Sequence, residues 1–465
     1  MALNEGKKKL IIHRHRFFYF LLIMPFCMPE LVYFNTYTSM AVQAWKAVCV
    51  IFAFVIFIKR LKLYRITDWL VFSFFGLIAV VSLTEGVIPM TSLYMVTVYI
   101  LFERYTKKDG KGWLITFIHI LEILAVLNLL SVIIFPDGMY ITYSSAVEDG
   151  SYTSNWLMGY KNPMIRYLLP ACALSHIYSI VYDSKRKVQA WIFTAVVLIT
   201  MILVKSGTGA IGIVVFIFFR LIYRKDLRRL VRFWSLFKSF ILAGIIDVIF
   251  VLLRKQEIFS FIIDVLLNRS SSDLTGRTTI WDAALKVIAK SPIFGYGDAV
   301  SDVLQEYIYA EHPHNYILYI LMQAGIIGLF LVIAMVIAAN RNLKKAVNIN
   351  IPYAGCMIGA LTAFWIMGIA ESLTGAIFLY PLFIFCSYIP GKEYILPDGD
   401  RGNINDKNPL LKSMDKDKNR GCPDERRRQK KDKWTGEGKN DPENAAWIRE
   451  SFEEQKYGIK NTDLK

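Results

Sequence analysis

Charge is scarce in this 465-residue chain, where Asp, Glu, Lys and Arg together make up 20%. Hydrophobic residues make up 55%, a share that barely moves when Gly (28) is counted in place of Tyr (25). Soluble globular chains hold about 45–50%. With a mean hydropathy of +0.39, this composition excludes an ordinary soluble enzyme. Cysteine is scarce as well. Of the six, Cys27, Cys49, Cys172, Cys356 and Cys386 fall inside apolar runs and Cys422 near the C-terminal end, with no Cys-x-x-Cys among them. A disulfide framework and a thiolate metal site are both excluded. The two halves show no internal repeat, so the inverted-repeat architecture of many secondary transporters is missing. No small-residue cleavage site follows the first basic and then apolar stretch, which therefore reads as an uncleaved first helix.

What is present is a series of apolar stretches approaching the length needed to cross a bilayer core of about 30 Å. They run over Phe17–Phe34, Ala41–Ile58, Trp69–Leu83, Val87–Phe102, Trp113–Phe135, Pro163–Tyr182, Val188–Val204, Gly209–Tyr223, Phe233–Leu253, His314–Ala339, Tyr353–Ser372 and Gly375–Ile389. The expected fold class is an all-α polytopic membrane protein of about twelve transmembrane helices, with a large external loop, 254–313, between the ninth and tenth. The membrane domain spans 1–389. The last 76 residues, 390–465, carry 18 Lys/Arg and 16 Asp/Glu with almost no aliphatic residues. Such a near-neutral polyampholyte cannot build a core, and a charged, disordered cytoplasmic tail is expected.

The net charge of +16 would suggest a nucleic-acid partner in a soluble protein, but its distribution removes that reading. Alternate loops are basic: Lys7, Lys8, Lys9, Arg14 and Arg16; Lys59, Arg60, Lys62 and Arg65; Arg104, Lys107, Lys108 and Lys111. The same set continues with Lys185, Arg186 and Lys187, then Arg224 to Arg232, then Arg341, Lys344 and Lys345. The intervening loops hold few cations, so the positive-inside rule puts both termini on the cytoplasmic side. Loop 254–313 carries six cations on the outer side, and these need another explanation.

Within that loop, Ile258–Leu267 is a compact apolar run suited to a short interfacial helix. A polar stretch from Asn268 to Thr275 follows, then Gly276-Arg277-Thr278-Thr279-Ile280-Trp281-Asp282. The apolar residues Ile280, Trp281, Ala284, Leu285, Val287 and Ile288 recur at helical spacing. They predict a helix over 280–291, capped by Thr278 or Thr279 and lying apolar side down on the membrane. Ser291-Pro-Ile-Phe-Gly295-Tyr-Gly297 ends it in a turn. His312-Pro-His314-Asn315 leads into the tenth span, which contains Gly325-Ile-Ile-Gly328-Leu329.

The ordered combination of Gly276-Arg277, Trp281, Pro292-x-x-Gly295-x-Gly297, His314-Asn315 and Gly325-Ile-Ile-Gly328-Leu329 resembles the O-antigen ligase and polysaccharide polymerase (Wzy-type) superfamily. Gly159-Tyr-Lys161-Asn162-Pro163 and Ser206-Gly-Thr-Gly-Ala210 extend the resemblance. One departure is Ser206-Gly207, where many ligases carry Ser-Arg. The resemblance implies an integral-membrane glycosyltransferase of the bacterial plasma membrane. It would move a glycan from an undecaprenyl-diphosphate carrier to a sugar hydroxyl on the growing acceptor chain, with inversion and with no cofactor or metal. The leaning is to a polymerase of surface polysaccharide (capsule, exopolysaccharide or O-antigen), because the ligases' Ser-Arg is missing. The alternatives are a ligase delivering a finished chain to lipid A-core, and a twelve-span transporter or flippase. Its partners would be the lipid-linked oligosaccharide, the bilayer and chain-length regulators, and not nucleic acid.

Such a reaction needs cations for the leaving diphosphate, and Arg suits the task because its planar fork binds phosphate oxygens in pairs and stays charged. Arg269 and Arg277, with Arg166, Lys161 and Lys205 from neighbouring outer loops, are the candidates; one of the last three would replace the missing Arg. The competing explanation for Arg277 is a snorkelling lipid-headgroup contact, and for Lys161 and Lys205 plain interfacial anchoring. His314 can accept the proton of the attacking hydroxyl, or merely cap the tenth span. Asn315 would orient it or the substrate, and His312 and Trp281 are supporting candidates. Glu371, at the outer end of the eleventh span, is a second candidate base or an Arg partner. His119 and Glu122, three apart on one helix face, read as a structural pair, and Asp247 as inward-packing.

Overall fold

The computed structural model describes residues 15–143, 152–223, 234–253, 275–308, 310–373 and 375–389. Arg269, the run Ile258–Leu267, the basic segment 224–232 and the expected tail lie outside the described residues. Along the described chain, α1 (His15–Phe26) is followed by α2 (Thr36–Arg60), α3 (Ile66–Thr84) and α4 (Met90–Ile134). Three strands come next, β1 (Tyr140–Tyr143), β2 (Tyr152–Trp156) and β3 (Gly159–Tyr160). Then follow α5 (Ile165–Val181), α6 (Lys187–Leu203), α7 (Gly207–Ile222), α8 (Leu236–Asp247), α9 (Thr275–Lys290) and α10 (Val300–Gln305). The last helices are α11 (Tyr316–Ile349), α12 (Ile351–Gly368) and α13 (Leu382–Ser387).

By length and composition, six helices among the described residues can cross a membrane: Thr36–Leu63, Ile66–Thr84, Met90–Ile134, Ser184–Leu203, Tyr316–Ile349 and Ile351–Gly368. That is fewer than the twelve expected. The first, sixth and eighth expected spans are the shorter apolar helices His15–Phe26, Ile165–Val181 and Gly207–Ile222. The ninth is α8 continued by a π turn over Val248–Leu252, and the last is a series of turns ending in the six-residue α13. The protein is a multi-pass membrane protein. On α2, Val48, Ile51 and Phe54 are each 60% or more exposed, a surface that water would penalise and hydrocarbon accepts.

The fourth and fifth expected spans form one 45-residue helical run broken at Asp109, whose φ and ψ are −151° and 67°. The Phe102 and Phe117 rings stand 5.2 Å apart. In a straight helix, fifteen residues would separate them by about 22 Å, so the chain doubles back here. The Asp109 carboxylate accepts from the Gly112 amide (3.0 Å) and starts the returning half. At this turn the buried Glu103 carboxylate pairs with Arg60 (3.2 Å) and with Lys107.

Strands are the clearest departure from the all-α expectation. The segment read only as an outer loop, 136–162, forms a three-stranded antiparallel sheet in the order β1-β2-β3, with Tyr140 opposite Asn155 and Asn155 opposite Tyr160. Tyr, Ile, Thr and Trp favour this pleated pairing, and the Thr142 and Thr153 hydroxyls hydrogen-bond across it at 2.7 Å.

Chain alternation puts the start of α5, α7 and α11 and the end of α12 together at one end of the bundle. His119 and Glu122 are both held by Arg186, whose guanidinium lies 2.7 Å from His119 Nε2 and 3.0 Å from Glu122 Oε2.

Candidate active site

The hub of the site is Glu371, which follows α12 and is 5% exposed. Its Oε1 accepts from Asn162 Nδ2 at 2.7 Å, and Asn162 Oδ1 accepts in turn from Ser206 Oγ at 3.0 Å. Ser206 is also the N-cap of α7, accepting from the Gly209 amide. Arg277 Nη2 lies 3.7 Å from Glu371 Oε1, and its Nη1 donates to the Ala370 carbonyl at 2.6 Å. His314 Nδ1 faces Glu371 Oε2 at 3.8 Å, within ion-pair range and beyond a hydrogen bond. The structure thus brings together Asn162, Ser206, Arg277, His314 and Glu371, from five separate segments. Burial raises the Glu371 carboxyl, but the His314 contact and the charges of Arg277 and Arg166 outweigh it, leaving the group below its ordinary value.

Arg277 and Trp281 stand one helical turn apart on α9. Trp281 is 2% exposed, and its Nε1 donates to the Pro313 carbonyl at 3.0 Å, holding the His312-Pro313-His314 turn against the helix. The helix starts at Thr275, so Thr278 and Thr279 are helical residues and not caps. Its apolar face packs on protein and not on lipid: Trp281, Ala284 and Val287 join Val251, Val300, Leu304, Leu318 and Met322 in one buried cluster. The apolar residues find a protein partner because α11 and the 300–305 turn lie directly against them.

His312 packs edge-on to His314, with ring centroids 4.4 Å apart. Burial, His314 and Arg166 push the His312 imidazole down to about 4, so it is neutral at pH 7. Asn315 has 0% exposure, and its side chain is fully engaged. Its Nδ2 donates to Asp247 Oδ1 (2.7 Å) and the Ile369 carbonyl (3.2 Å), while its Oδ1 caps α11 by accepting from the Leu318 amide. It orients the chain, and Asp247 packs inward against it.

Backbone strain gathers here. Among the described residues, Lys205, His314 and Leu373 are the three non-glycine residues with positive φ, at 54°, 49° and 49°. Each costs about 1–2 kcal/mol, and each adjoins or belongs to the Glu371 cluster. Arg166, in the first turn of α5, has its Nη1 3.7 Å from where a Cβ on Gly375 would stand. Its charge acts on both Glu371 and His312. Lys161 and Lys205 line a neighbouring cleft of about 330 Å³, with Asp137, Ser154 and Tyr160. Among the described residues, no three His, Cys, Asp or Glu side chains gather as a metal site.

Glu30 was not singled out by sequence. It reaches the rim of this cluster, where its Oε2 accepts from the Tyr160 amide at 3.4 Å. Burial raises its carboxyl, and the Tyr160 amide and the charge of Arg166 partly offset that. Glu30 sits near the end of the first apolar run, and its partner is set only when the sheet folds back onto it.

Behind the site, the two glycine motifs dock on each other. The Ile326 amide donates to the Pro292 carbonyl (2.9 Å) and the Tyr296 amide to the Met322 carbonyl (2.8 Å), across a break in α11 at Gly325. Gly325 has φ +59°, and a Cβ there would lie 2.1 Å from the Ile293 carbonyl oxygen. Only glycine allows this approach.

Fold and site together define a helical multi-pass membrane protein with a buried, charge-balanced polar cluster at one end of its helices. Residues 177–333 match the family model of the O-antigen ligase, in agreement with the resemblance to the O-antigen ligase and Wzy-type polymerase superfamily. The match takes in Ser206, Arg277, His312, His314 and Asn315, while Asn162, Arg166 and Glu371 lie outside it. No curated protein matches the chain.

Proposed function

We propose that the protein transfers a glycan from an undecaprenyl-diphosphate carrier to a sugar hydroxyl at the outer face of the bacterial plasma membrane, as a surface-polysaccharide polymerase. The observation that carries this reading is the convergence of Arg277 and His314 on Glu371 in a chain that resembles this superfamily. With its Nδ1 turned toward Glu371, His314 offers Nε2 as the base. The acceptor oxygen attacks the anomeric carbon and its proton passes to His314. The bond from that carbon to the diphosphate oxygen breaks, and the electron pair leaves with the lipid diphosphate. Arg277 and Arg166, with Arg269, Lys161 and Lys205 as further cations, neutralise the departing charge. Glu371 is a poor base, since its carboxyl is held below the ordinary value; it orients Arg277 and His314. Arg166, whose charge acts on Glu371 and His312, is the candidate among Arg166, Lys161 and Lys205 to replace the arginine missing at Gly207.

Arg277→Ala and His314→Ala should each abolish polymer in a deletion strain while the protein stays inserted. Wild-type-length polymer from both variants would refute the assignment. A ligase shares the donor and the bond chemistry, so purified protein given lipid-diphosphate repeat units distinguishes the two: a ladder of products supports the polymerase, and a single transfer to a terminal acceptor supports the ligase.

A further inference from the structure

The elements that hold the site at one end, α5, α7, α11 and α12, line a second polar cavity at their other end together with the start of α6, and the cavity opens to the surface at Ser184, Lys187 and Asn348. It has a volume of about 460 Å³ and is lined by Ser179, Ser184, Lys187, Arg220, Asn348 and Asn350 among others. Among the described lining residues, two are cations and none is acidic. Arg220 Nε is buried without a hydrogen-bond partner. Among the described residues, neither Arg220 nor Lys187 takes part in an ion pair.

A guanidinium partly withdrawn from water and left unneutralised is costly, so the cavity is complementary to an anion that is not part of the chain. Its donors are a planar fork, an ammonium, two hydroxyls and two carboxamides, which match the several acceptor oxygens of a phosphate better than the two of a carboxylate. Position narrows the source. α5, with 17 residues, is about 25 Å long, so the cavity lies roughly a hydrocarbon thickness from the Glu371 cluster. That is headgroup depth in the opposite leaflet. Basic pockets between helices at this depth suit anionic lipid headgroups.

We propose that the cavity beneath Arg220 binds a phosphate group, presented by the headgroup of an anionic phospholipid in the leaflet opposite the Glu371 cluster. The occupant ties the ends of α5, α7 and α11 to the membrane surface. The proposal does not depend on the glycan-transfer reading.

The test uses the full chain in nanodiscs of phosphatidylcholine, with or without phosphatidylglycerol, and counts retained lipid by native mass spectrometry. Wild type should retain phosphatidylglycerol and melt at higher temperature with it. Arg220→Gln combined with Lys187→Gln should lower that retention at least tenfold. Arg341→Gln combined with Lys345→Gln, cations outside the cavity lining, should leave it unchanged, and Arg220→Lys should retain part of it and show that the fold persists. Equal loss in both double variants, or no loss in the cavity variant, overturns the proposal. Millimolar inorganic phosphate in phosphatidylcholine nanodiscs separates the sources. Stabilisation by phosphate without retention of phosphatidylglycerol would overturn the lipid assignment in favour of a soluble phosphate.

Discussion

At the scale of single residues, Glu371 governs the site because three different chemistries meet on one carboxylate: an amide donor from Asn162, a guanidinium from Arg277 and an imidazole from His314. Glu371→Gln keeps the shape and removes the charge, so Arg277 and His314 lose the group that orients them. Transfer should fall about a hundredfold, the range for losing one preorganised electrostatic contact, with unchanged protein yield; a drop below threefold in a purified assay would show the carboxylate to be dispensable. His312 yields a pH prediction. Its imidazole titrates near 4 in the fold against about 6.5 in an unfolded chain. Between those values the unfolded state binds the extra proton, so stability rises with pH through the window and is lost as pH falls through it, by about 3 kcal/mol at most. Melting in detergent should be lower at pH 5 than at pH 7, and His312→Asn should narrow that difference.

At the scale of elements, α9 works as a bracket: Arg277 reaches one loop and Trp281, one turn on, pins the next. Trp281→Phe keeps the packing and loses the bond to Pro313, a change of about 1 kcal/mol. The expected result is about a tenfold loss of turnover, because the His312–His314 turn is no longer held, with little change in melting temperature. The docked glycine motifs set the reverse pattern. Gly325→Ala puts a methyl group into the Ile293 carbonyl at a left-handed position and should cost about 3 kcal/mol or more, read as a lower melting temperature or loss of the folded protein. A variant melting like wild type would show that the break in α11 can relax.

At the scale of the whole molecule, most of the +16 charge follows the positive-inside pattern, and the cations that serve the candidate chemistry are few. Removing Pro397–Lys465 should leave synthesis nearly unchanged. Loss of activity from a truncated, correctly inserted protein would assign the tail a role such as docking a chain-length regulator. Much of this organisation was legible in the sequence. Apolar runs of membrane length follow from composition along one dimension; Arg277 stood out because a loop on the less basic side had no topological reason to hold cations, and Trp281 and His314 because they stand in the ordered motifs of the resemblance. The sheet at 140–160 stayed hidden because short strands beside an outer loop bear no long periodic signal, whereas the fold-back at Asp109 falls in the basic stretch expected between the fourth and fifth spans.

The sequence by itself determined that the chain is a multi-pass membrane protein, where most of its apolar helices run and which family its motifs resemble, because hydropathy, charge alternation and ordered motifs are all local properties. Only the tertiary structure decided that Glu371 is the meeting point, that Asn162 and Ser206 support it, that Asn315 is committed to Asp247 and Ile369, and that the apolar face of α9 rests on protein. Those are contacts between segments tens to hundreds of residues apart, as between Asn162 and Glu371, and their energy depends on burial and approach that no neighbouring residue encodes.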